Sequence, residues 1–228
     1  MTRTPEPVRP WRGISPERRV AERRERLLEG GLEVFVARGF ANSRVRDVCR
    51  EAGLTERYFY ESFADKEGLL VALVERIVGD LVVAVGPAIE LAQTESEVAV
   101  DAAARAVVRS LTGDPRRARI LLVEVVGVSP AIEATRRALI ARLADVIRRA
   151  VAGAFGPWAL ESPQVELVAR ALVGAAQELL VAYVRDELKL DEEALIENLA
   201  RLLLLARPVI QALAQDQAVT NPAERTMP

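Results

Sequence analysis

Apolar residues recur along most of this chain at intervals of three and four positions, the spacing of a helix that buries one face. A clear example runs from residue 163 to 187, where Val165, Val168, Leu172 and Leu179 follow that spacing. Alternating runs of β-branched and aromatic residues, which are typical of strands, do not occur in the sequence. The pattern therefore predicts an all-α protein.

Cap residues followed by proline mark several helix starts, because proline suits the first position of a helix. These pairs are Ser15-Pro16, Asp114-Pro115, Ser129-Pro130 and Ser162-Pro163, and Asp65 and Asp191 offer further caps. Together with glycines at helix ends, they predict about nine helices, over residues 16–38, 43–52, 55–62, 66–85, 96–111, 115–126, 130–153, 163–187 and 192–207. Gly86-Pro87 is expected to end or kink the fourth helix.

The chain contains no histidine and a single cysteine, Cys49. Zinc sites built from Cys and His, nucleophiles activated by His, and disulfides within one chain are therefore excluded. Only scattered carboxylates remain as acid–base candidates, so we expect no enzyme, no cofactor and no metal site. Cys49 falls inside an apolar-periodic helix, which favours a small buried residue over a redox sensor.

The same features bear on where the protein resides. A lone cysteine suits a reducing cytosol. The polar start "MTRTPEPVRPWRGISPERR" lacks the apolar core of a signal peptide, and no apolar run is expected to approach the length of a membrane span. The sequence therefore predicts a soluble, cytoplasmic protein with no membrane partner.

The formal net charge of −2 conceals an uneven distribution. Residues 1–26 carry eight arginines against four glutamates, a net +4 that leaves −6 for the rest of the chain. A basic arm ahead of an acidic body suggests a polyanionic partner near the N-terminus. A solvated charged helix face is the alternative.

The segment "LTERYFYESFADKEGLL" holds four of the ten aromatic residues of the chain. At 100° per residue, Phe59 and Phe63 lie one turn apart on one helix face, whereas Arg57, Tyr60 and Glu61 point away from it. The two phenylalanines are therefore predicted to be core residues, and the polar face is predicted to be available to a partner.

Residues 43–63 combine this short helix with a second one that precedes it. The break between them contains Gly53, which readily takes the positive φ of a tight turn. Two short helices around such a turn form a helix-turn-helix, whose second helix can enter the major groove of DNA. An ordinary corner between two helices of a bundle is the alternative that the pattern leaves open.

The run from Gly39 to Leu70, "GFANSRVRDVCREAGLTERYFYESFADKEGLL", resembles the TetR family of bacterial transcriptional regulators. The features that carry the resemblance are Gly39-Phe40, "VRDV" at 45–48, "AGLT" at 52–55, Tyr60 with Phe63, and "DKE" at 65–67. They cover about the first seventy residues, and beyond them the resemblance is looser.

The resemblance implies a recognition helix at about 55–63 and a set of residues that contact DNA. Arg57 and Tyr58 are expected to reach base edges, and Tyr60 and Lys66 to contact phosphates. Ser43 or Arg44 begins the preceding helix, and Thr55 caps the recognition helix. The full predicted DNA-binding set is Ser43, Arg44, Arg46, Thr55, Arg57, Tyr58, Tyr60 and Lys66. Arg44 stands where the family usually has Ser or Thr, and Arg57 and Tyr58 replace residues that are commonly small, which leaves open which bases are read.

The helix predicted at 163–187 carries a long apolar stripe, and the helix predicted at 192–207 is apolar on more than one side. Such a helix is either central in a monomer or part of an interface. The resemblance implies the second case, a four-helix interface between two copies of the chain. The predicted interface residues are Val168, Leu172, Ala175, Leu179, Leu199, Leu202 and Leu203.

The resemblance also implies that the middle helices enclose a pocket for a small apolar or amphipathic effector. Glu124, Trp158, Gln177 and Tyr183 are candidate lining residues, because each is polar or amphipathic in apolar surroundings. Residues of this kind are more often satisfied structural residues, which is the alternative for each of the four.

The expected domain organisation follows from these segments. It comprises a disordered basic arm (1–14), a helix-turn-helix domain (15–66), a helical ligand-binding and dimerisation domain (67–215) and a disordered tail (216–228). The expected function is a homodimeric repressor that binds a palindromic double-stranded DNA operator and is released by its effector. The alternative is an all-helical protein–protein interaction module that does not bind DNA.

Overall fold

The computed structural model describes residues 15–91 and 96–220. Throughout these ranges the regular structure is helical, with no strand, so the predicted all-α class is confirmed. The α-helices are α1 (Pro16–Arg38), α2 (Val45–Ala52), α3 (Glu56–Ser62), α4 (Lys66–Leu91), α5 (Ser96–Thr112), α6 (Pro115–Arg119), α7 (Pro130–Phe155), α8 (Pro163–Val184), α9 (Glu192–Leu204) and α10 (Arg207–Thr220). A π-helical turn, Ile120–Glu124, continues α6, and a 3₁₀ turn, Pro157–Leu160, precedes α8.

The predicted proline-containing helix starts are confirmed. The side chains of Ser15, Asp114, Ser129 and Ser162 each accept a hydrogen bond from a backbone N–H in the first turn of the helix that follows. Because these N–H groups have no partner within the helix, the caps fix where each helix begins.

The expectation that Gly86-Pro87 ends or kinks α4 near residue 85 is wrong about the end, since the helix continues to Leu91. Pro87 cannot donate a backbone hydrogen bond, but its side chain lies on the exposed side of the helix, where water can satisfy the freed carbonyl. Val85 and Ala88 are buried on either side of it, and their packing keeps the chain helical.

The predicted end of the chain also needs correction. Residues 207–220 form α10, so the tail predicted from residue 216 is helical as far as Thr220. Pro208 occupies the first turn of α10, where proline is tolerated, and Ile210 is buried (4% exposed). The arm predicted for residues 1–14 and the last eight residues of the tail lie outside the described residues.

The chain divides into two compact units between Leu73 and Val74. In the first unit α1 packs mainly against α2, and α3 contacts both. Its core contains Leu27, Leu28, Phe35, Val48, Phe59, Leu69 and Leu70. Gly30 allows α1 to approach α2 closely, because a Cβ there would lie 3.0 Å from the backbone nitrogen of Ala52.

In the second unit α5 packs against α9, and α7 packs against α8. Leu195, Ile196 and Leu199 of α9 are almost completely buried. A separate cluster joins Val165 of α8 to Ile210 of α10.

Within the described residues, one helix, Pro163–Val184, is long and apolar enough to cross a membrane, by length and composition alone. The expectation that no apolar run approaches that length is therefore wrong. Only 17% of its most apolar window is buried in the chain, so much of its apolar surface has no partner within one copy.

Candidate nucleic-acid interface and apolar cavity

The turn between α2 and α3 is built around Gly53. Its backbone is left-handed, with φ 61° and ψ 38°, and the Leu54 N–H donates to the Cys49 carbonyl at 2.9 Å. Arg26 of α1 donates to the carbonyls of Ala52 (2.6 Å) and Gly53 (3.1 Å). The arginine thus satisfies carbonyls at the end of α2 and ties the turn to α1. Sequence reasoning missed Arg26, because nothing in the local pattern connects positions 26 residues apart.

The inward face of α3 is aromatic. Phe59 is fully buried and Phe63 is 6% exposed, with their ring centroids 5.7 Å apart. The predicted core role of both phenylalanines is confirmed. Because α3 has only seven residues, these anchors and not its intrinsic helix propensity hold it in place.

The outward face of α3 is polar and accessible. The Arg57 side chain is 84% exposed, and Tyr60 is 58% exposed. Arg57 Nε lies 3.3 Å from Glu61 Oε1, an exposed pair one turn apart that holds the guanidinium only weakly. Thr55 is exposed at the N-cap and its side chain makes no capping bond. These side chains are free to contact a partner.

Tyr58 is more enclosed than the sequence suggests. It is half-buried, and the Arg23 guanidinium carbon lies 4.5 Å from its ring centroid. Arg23 also lies 3.6 Å from Glu61. An arginine of α1 thus packs on the aromatic face that α3 presents.

Ser43 is not placed as predicted. It is 3% exposed, and its hydroxyl donates to the Gly39 carbonyl at 2.7 Å. The hydroxyl therefore completes the end of α1 and does not face outward to hold a phosphate. Arg44 and Arg46, by contrast, are exposed at the start of α2.

Asp47 organises the start of α2 from inside. It is 7% exposed, accepts from the Arg44 N–H at 3.1 Å and pairs with Arg38 (3.2 Å) and Arg50 (3.1 Å). Its carboxylate satisfies a free N–H at the helix start and neutralises part of the surrounding positive charge.

Lys66 also departs from its predicted role. Its ammonium donates to the carbonyls of Phe40 (2.7 Å) and Ser43 (2.9 Å) and lies 4.1 Å from the Phe40 ring centroid. Burial lowers the pKa of this ammonium from its ordinary value. Two of its three N–H groups are thus engaged inside the protein, so Lys66 ties the first residue of α4 to the loop before α2 and is not a free phosphate clamp.

The second unit contains an apolar cavity of about 180 Å³. Its walls come from the end of α4, from α5, α7 and α8, and from the end of α9 and the start of α10. Aliphatic side chains predominate, among them Val85, Ile89, Val100, Ile147, Val168 and Leu203. Arg207 is the charged residue among those lining it.

The predicted ligand residues do not line this cavity. Trp158 donates its indole N–H to the Phe155 carbonyl at 2.7 Å, and Glu124 lies 3.1 Å from Arg119. Gln177 and Tyr183 are half-buried on α8 outside the cavity wall. The sequence indicates these four residues because they are polar or amphipathic. The cavity is instead lined almost entirely by aliphatic residues, which helical periodicity alone assigns to the core.

The predicted interface residues divide into three groups. Leu199 is 1% exposed and belongs to the core, so it has no surface to offer a second copy. Val168, Leu172 and Leu203 line the cavity. Leu179 and Leu202 are half-buried, and Ala175 is exposed.

An apolar face that shares only Ala175 with the predicted interface is exposed on α8 and at α10. On α8 it consists of Leu167 (69% exposed), Ala171, Gly174 and Ala175, which follow helical spacing. Near and on α10 it consists of Leu205 (72% exposed), Val209 (48% exposed) and Ala212. We call these residues the exposed apolar face.

Comparison with known proteins identifies the first unit. Residues 27–73 match the family described as bacterial regulatory proteins, tetR family. An HTH-type transcriptional activator, FasR of Mycolicibacterium smegmatis, is 23% identical over 177 residues, covering 78% of this chain and 79% of that protein. An uncharacterized HTH-type transcriptional regulator, YerO of Bacillus subtilis, is 31% identical over 58 residues, which span only 20% of its length.

Solved structures extend the likeness in fold to most of the chain. The fatty acid degradation regulator FadR from Bacillus halodurans superposes with a TM-score of 0.70 at 17% identity, covering 84% of this chain and 96% of that one. The transcriptional regulator FadR from Bacillus subtilis, solved in complex with stearoyl-CoA, gives a TM-score of 0.68 at 17% identity, covering 78% and 96%.

Proposed function

We propose that this chain, a member of the TetR family of bacterial regulatory proteins, is a homodimeric repressor that binds a palindromic operator and leaves it when a small apolar or amphipathic effector binds. The observation that carries the DNA-binding role is the helix-turn-helix with Arg57 and Tyr60 exposed on α3, which Phe59 and Phe63 anchor from behind. We expect a cytoplasmic protein without catalytic activity.

In this proposal α3 enters the major groove. Arg57 pairs with a guanine, because a guanidinium matches the O6 and N7 acceptors of that base. Tyr60, Thr55, Arg44 and Arg46 contact the phosphates on either side, which positions the helix without reading sequence. Tyr58 packs its exposed edge against the groove.

The proposed dimer forms through the exposed apolar face. Leu167 and Leu205 each expose more than two thirds of their surface, which is unfavourable for a folded chain that remains alone in water. A two-fold axis brings the same face of a second copy against it, and it also presents two recognition helices to two DNA half-sites.

The proposed effector occupies the cavity in the second unit. An aliphatic lining selects an apolar group, and the B. subtilis FadR structure was solved with stearoyl-CoA, so a fatty acyl group is the ligand class that we propose. The end of α4 lines this cavity with Val85, Ala88 and Ile89, while Lys66 at the start of the same helix holds the loop before α2. We therefore propose that α4 transmits ligand binding to the DNA-binding unit.

An activator is the second candidate, since the M. smegmatis relative FasR is a transcriptional activator. A protein–protein interaction module without DNA binding is less favoured, because α3 exposes Arg57, which we propose reads a base, and Tyr60, which we propose contacts a phosphate.

The proposal is tested by fluorescence anisotropy. Labelled DNA from upstream of the gene that encodes this chain is titrated with the protein, with and without stearoyl-CoA. We expect tight, salt-dependent binding that stearoyl-CoA weakens, and by linkage the DNA must weaken stearoyl-CoA binding by the same factor. A DNA affinity that stearoyl-CoA leaves unchanged would contradict the proposed ligand class. A reporter gene then separates the two roles. Deleting the gene for this chain should raise reporter expression if the protein is a repressor and lower it if the protein is an activator.

A further inference from the structure

Arg207 is the charged group in the wall of a cavity that is otherwise lined by alanine, valine, leucine, isoleucine and phenylalanine. Its Nη1 lies 3.0 Å from Oε1 of Glu97, at the start of α5. The Arg207 side chain is 42% exposed and that of Glu97 is 74% exposed, so both reach solvent. Arg207 is therefore part of the cavity wall, and its guanidinium pairs with Glu97 where both side chains reach solvent.

A guanidinium in this position is suited to one kind of ligand. Its planar set of N–H donors matches a carboxylate or phosphate, and it already binds the carboxylate of Glu97. An aliphatic chain in the cavity brings its own polar end to the wall. A neutral end gains little from Arg207, whereas an anionic end gains a charge-assisted hydrogen bond.

We propose that Arg207 binds the anionic end of an aliphatic ligand whose chain fills the cavity, and that Glu97 is the counterion which this anion displaces. This inference rests on the proposed role of the cavity as the effector site. Because exposed ion pairs are weak, the Arg207–Glu97 pair is readily exchanged for a ligand pair that the cavity holds in place. Glu97 also opposes the binding of any anion too weak to compete with it.

The test is isothermal titration of the full-length protein, without DNA, with dodecanoate and with dodecanol, both below the concentration at which they aggregate. The two ligands share one chain length and differ in the charge of the end group. We expect dodecanoate to bind more tightly. Arg207→Gln should weaken dodecanoate binding by about five- to tenfold and leave dodecanol within about twofold of its original affinity.

Glu97→Gln is the complementary variant. Removing the competing carboxylate should strengthen dodecanoate binding by about two- to fivefold and leave dodecanol unchanged. Arg201→Gln and Glu197→Gln are the matched controls, because these two residues form an exposed pair at 3.2 Å and do not line the cavity. Neither control should alter the affinity for either ligand.

A third ligand, dodecanoyl-CoA, separates the two sources of the anion. Loss of dodecanoate binding in Arg207→Gln assigns Arg207 to a carboxylate, and loss of dodecanoyl-CoA binding alone assigns it to the phosphates of the coenzyme. The inference is overturned if neither anion binds. It is also overturned if Arg207→Gln changes the affinity for dodecanol by the same factor as the affinities for both anions, which includes the case of no change in any of them. Because the titration contains no DNA, it tests this inference separately from the proposed regulation. Arg207-dependent ligand binding together with an unchanged DNA affinity in the anisotropy measurement would contradict the proposed regulation and leave this inference intact.

Discussion

Lys66 connects the first residue of α4 to two backbone carbonyls of the loop before α2. Lys66→Ala leaves both part-buried carbonyls without that donor, so we expect it to destabilise the DNA-binding unit by about 1–3 kcal/mol. Hydrogen exchange of the amides in α1–α3 measures this locally. Lys189→Ala is the control, because Lys189 is 79% exposed and pairs only with Asp186 among the contacts described. Equal protection in both variants would contradict the assigned role of Lys66.

Arg57 is the residue to which we assign base reading. Arg57→Ala should weaken binding to the preferred DNA by about 1–3 kcal/mol and reduce discrimination at one base position in each half-site. Arg201→Ala is a matched control, since Arg201 forms the same kind of exposed pair with a glutamate four residues away. Loss of affinity that is uniform over all sequences would instead make Arg57 a phosphate contact.

For individual residues, the sequence predicted burial better than it predicted the direction in which polar side chains point. Helical spacing correctly placed Phe59 and Phe63 inside and Arg57 outside. The directions of Ser43 and Lys66 were missed, because each is set by a backbone carbonyl whose position depends on the fold: that of Gly39 at the end of α1 for Ser43, and that of Phe40 in the loop before α2 for Lys66.

Helix packing in the first unit depends on Gly30. Gly30→Ala would place a Cβ 3.0 Å from the backbone nitrogen of Ala52 and 3.1 Å from the Val48 carbonyl oxygen, neither of which can rotate away. We expect a destabilisation of about 1–3 kcal/mol, even though alanine is the better helix former. Gly79→Ala is the control of opposite sign, because no atom lies within 4 Å of the added Cβ, and it should stabilise α4 by about 0.5–1 kcal/mol. Denaturant unfolding of both variants decides the matter, and a stabilised Gly30→Ala would contradict the close contact of α1 and α2.

Local signals predicted the starts of the nine expected helices to within two residues, and they predicted the ends of α1, α2 and α3 correctly but not the end of α4. Capping side chains such as Ser129 act within one turn, so the sequence alone identifies them. The continuation of α4 past Pro87 depends on the burial of Val85 and Ala88, and α10 depends on the packing of Ile210, all of which are tertiary contacts.

Association of two copies is a property of the whole molecule. Leu167→Glu combined with Leu205→Glu should convert a dimer to a folded monomer, since both side chains are exposed within one chain and become buried only in the proposed interface. Burying unpaired charge should raise the dissociation constant by about 100-fold or more. Sedimentation equilibrium at micromolar concentration measures this, with Val83→Glu, also at an exposed position, as the control. A monomeric unaltered protein would contradict the proposal.

The all-α fold and the N-terminal helix-turn-helix could be predicted from the sequence, whereas the cavity and the exposed apolar face could not. Residues 39–70 carry a spaced set of positions specific enough to predict the resemblance to the TetR family, and residues 27–73 match the model of that family. Helical spacing separates Val165 and Val168 of α8, which lie on its inward face, from Leu167, which is exposed. It does not show that Val165 and Val168 line a cavity, because a cavity wall and a filled core use the same aliphatic residues.

The central claim is that two copies of α3 read a symmetric DNA site. Selection of DNA from a fully randomised library tests this claim most directly. The account predicts enrichment of an inverted repeat whose half-sites lie about one helical turn, or 10–10.5 base pairs, apart or a multiple of that distance. It also predicts that Arg57→Ala loses a preferred guanine in both half-sites, while Arg201→Ala does not. Failure to enrich any sequence, or enrichment of one unrepeated site that Arg57→Ala selects equally well, would contradict it.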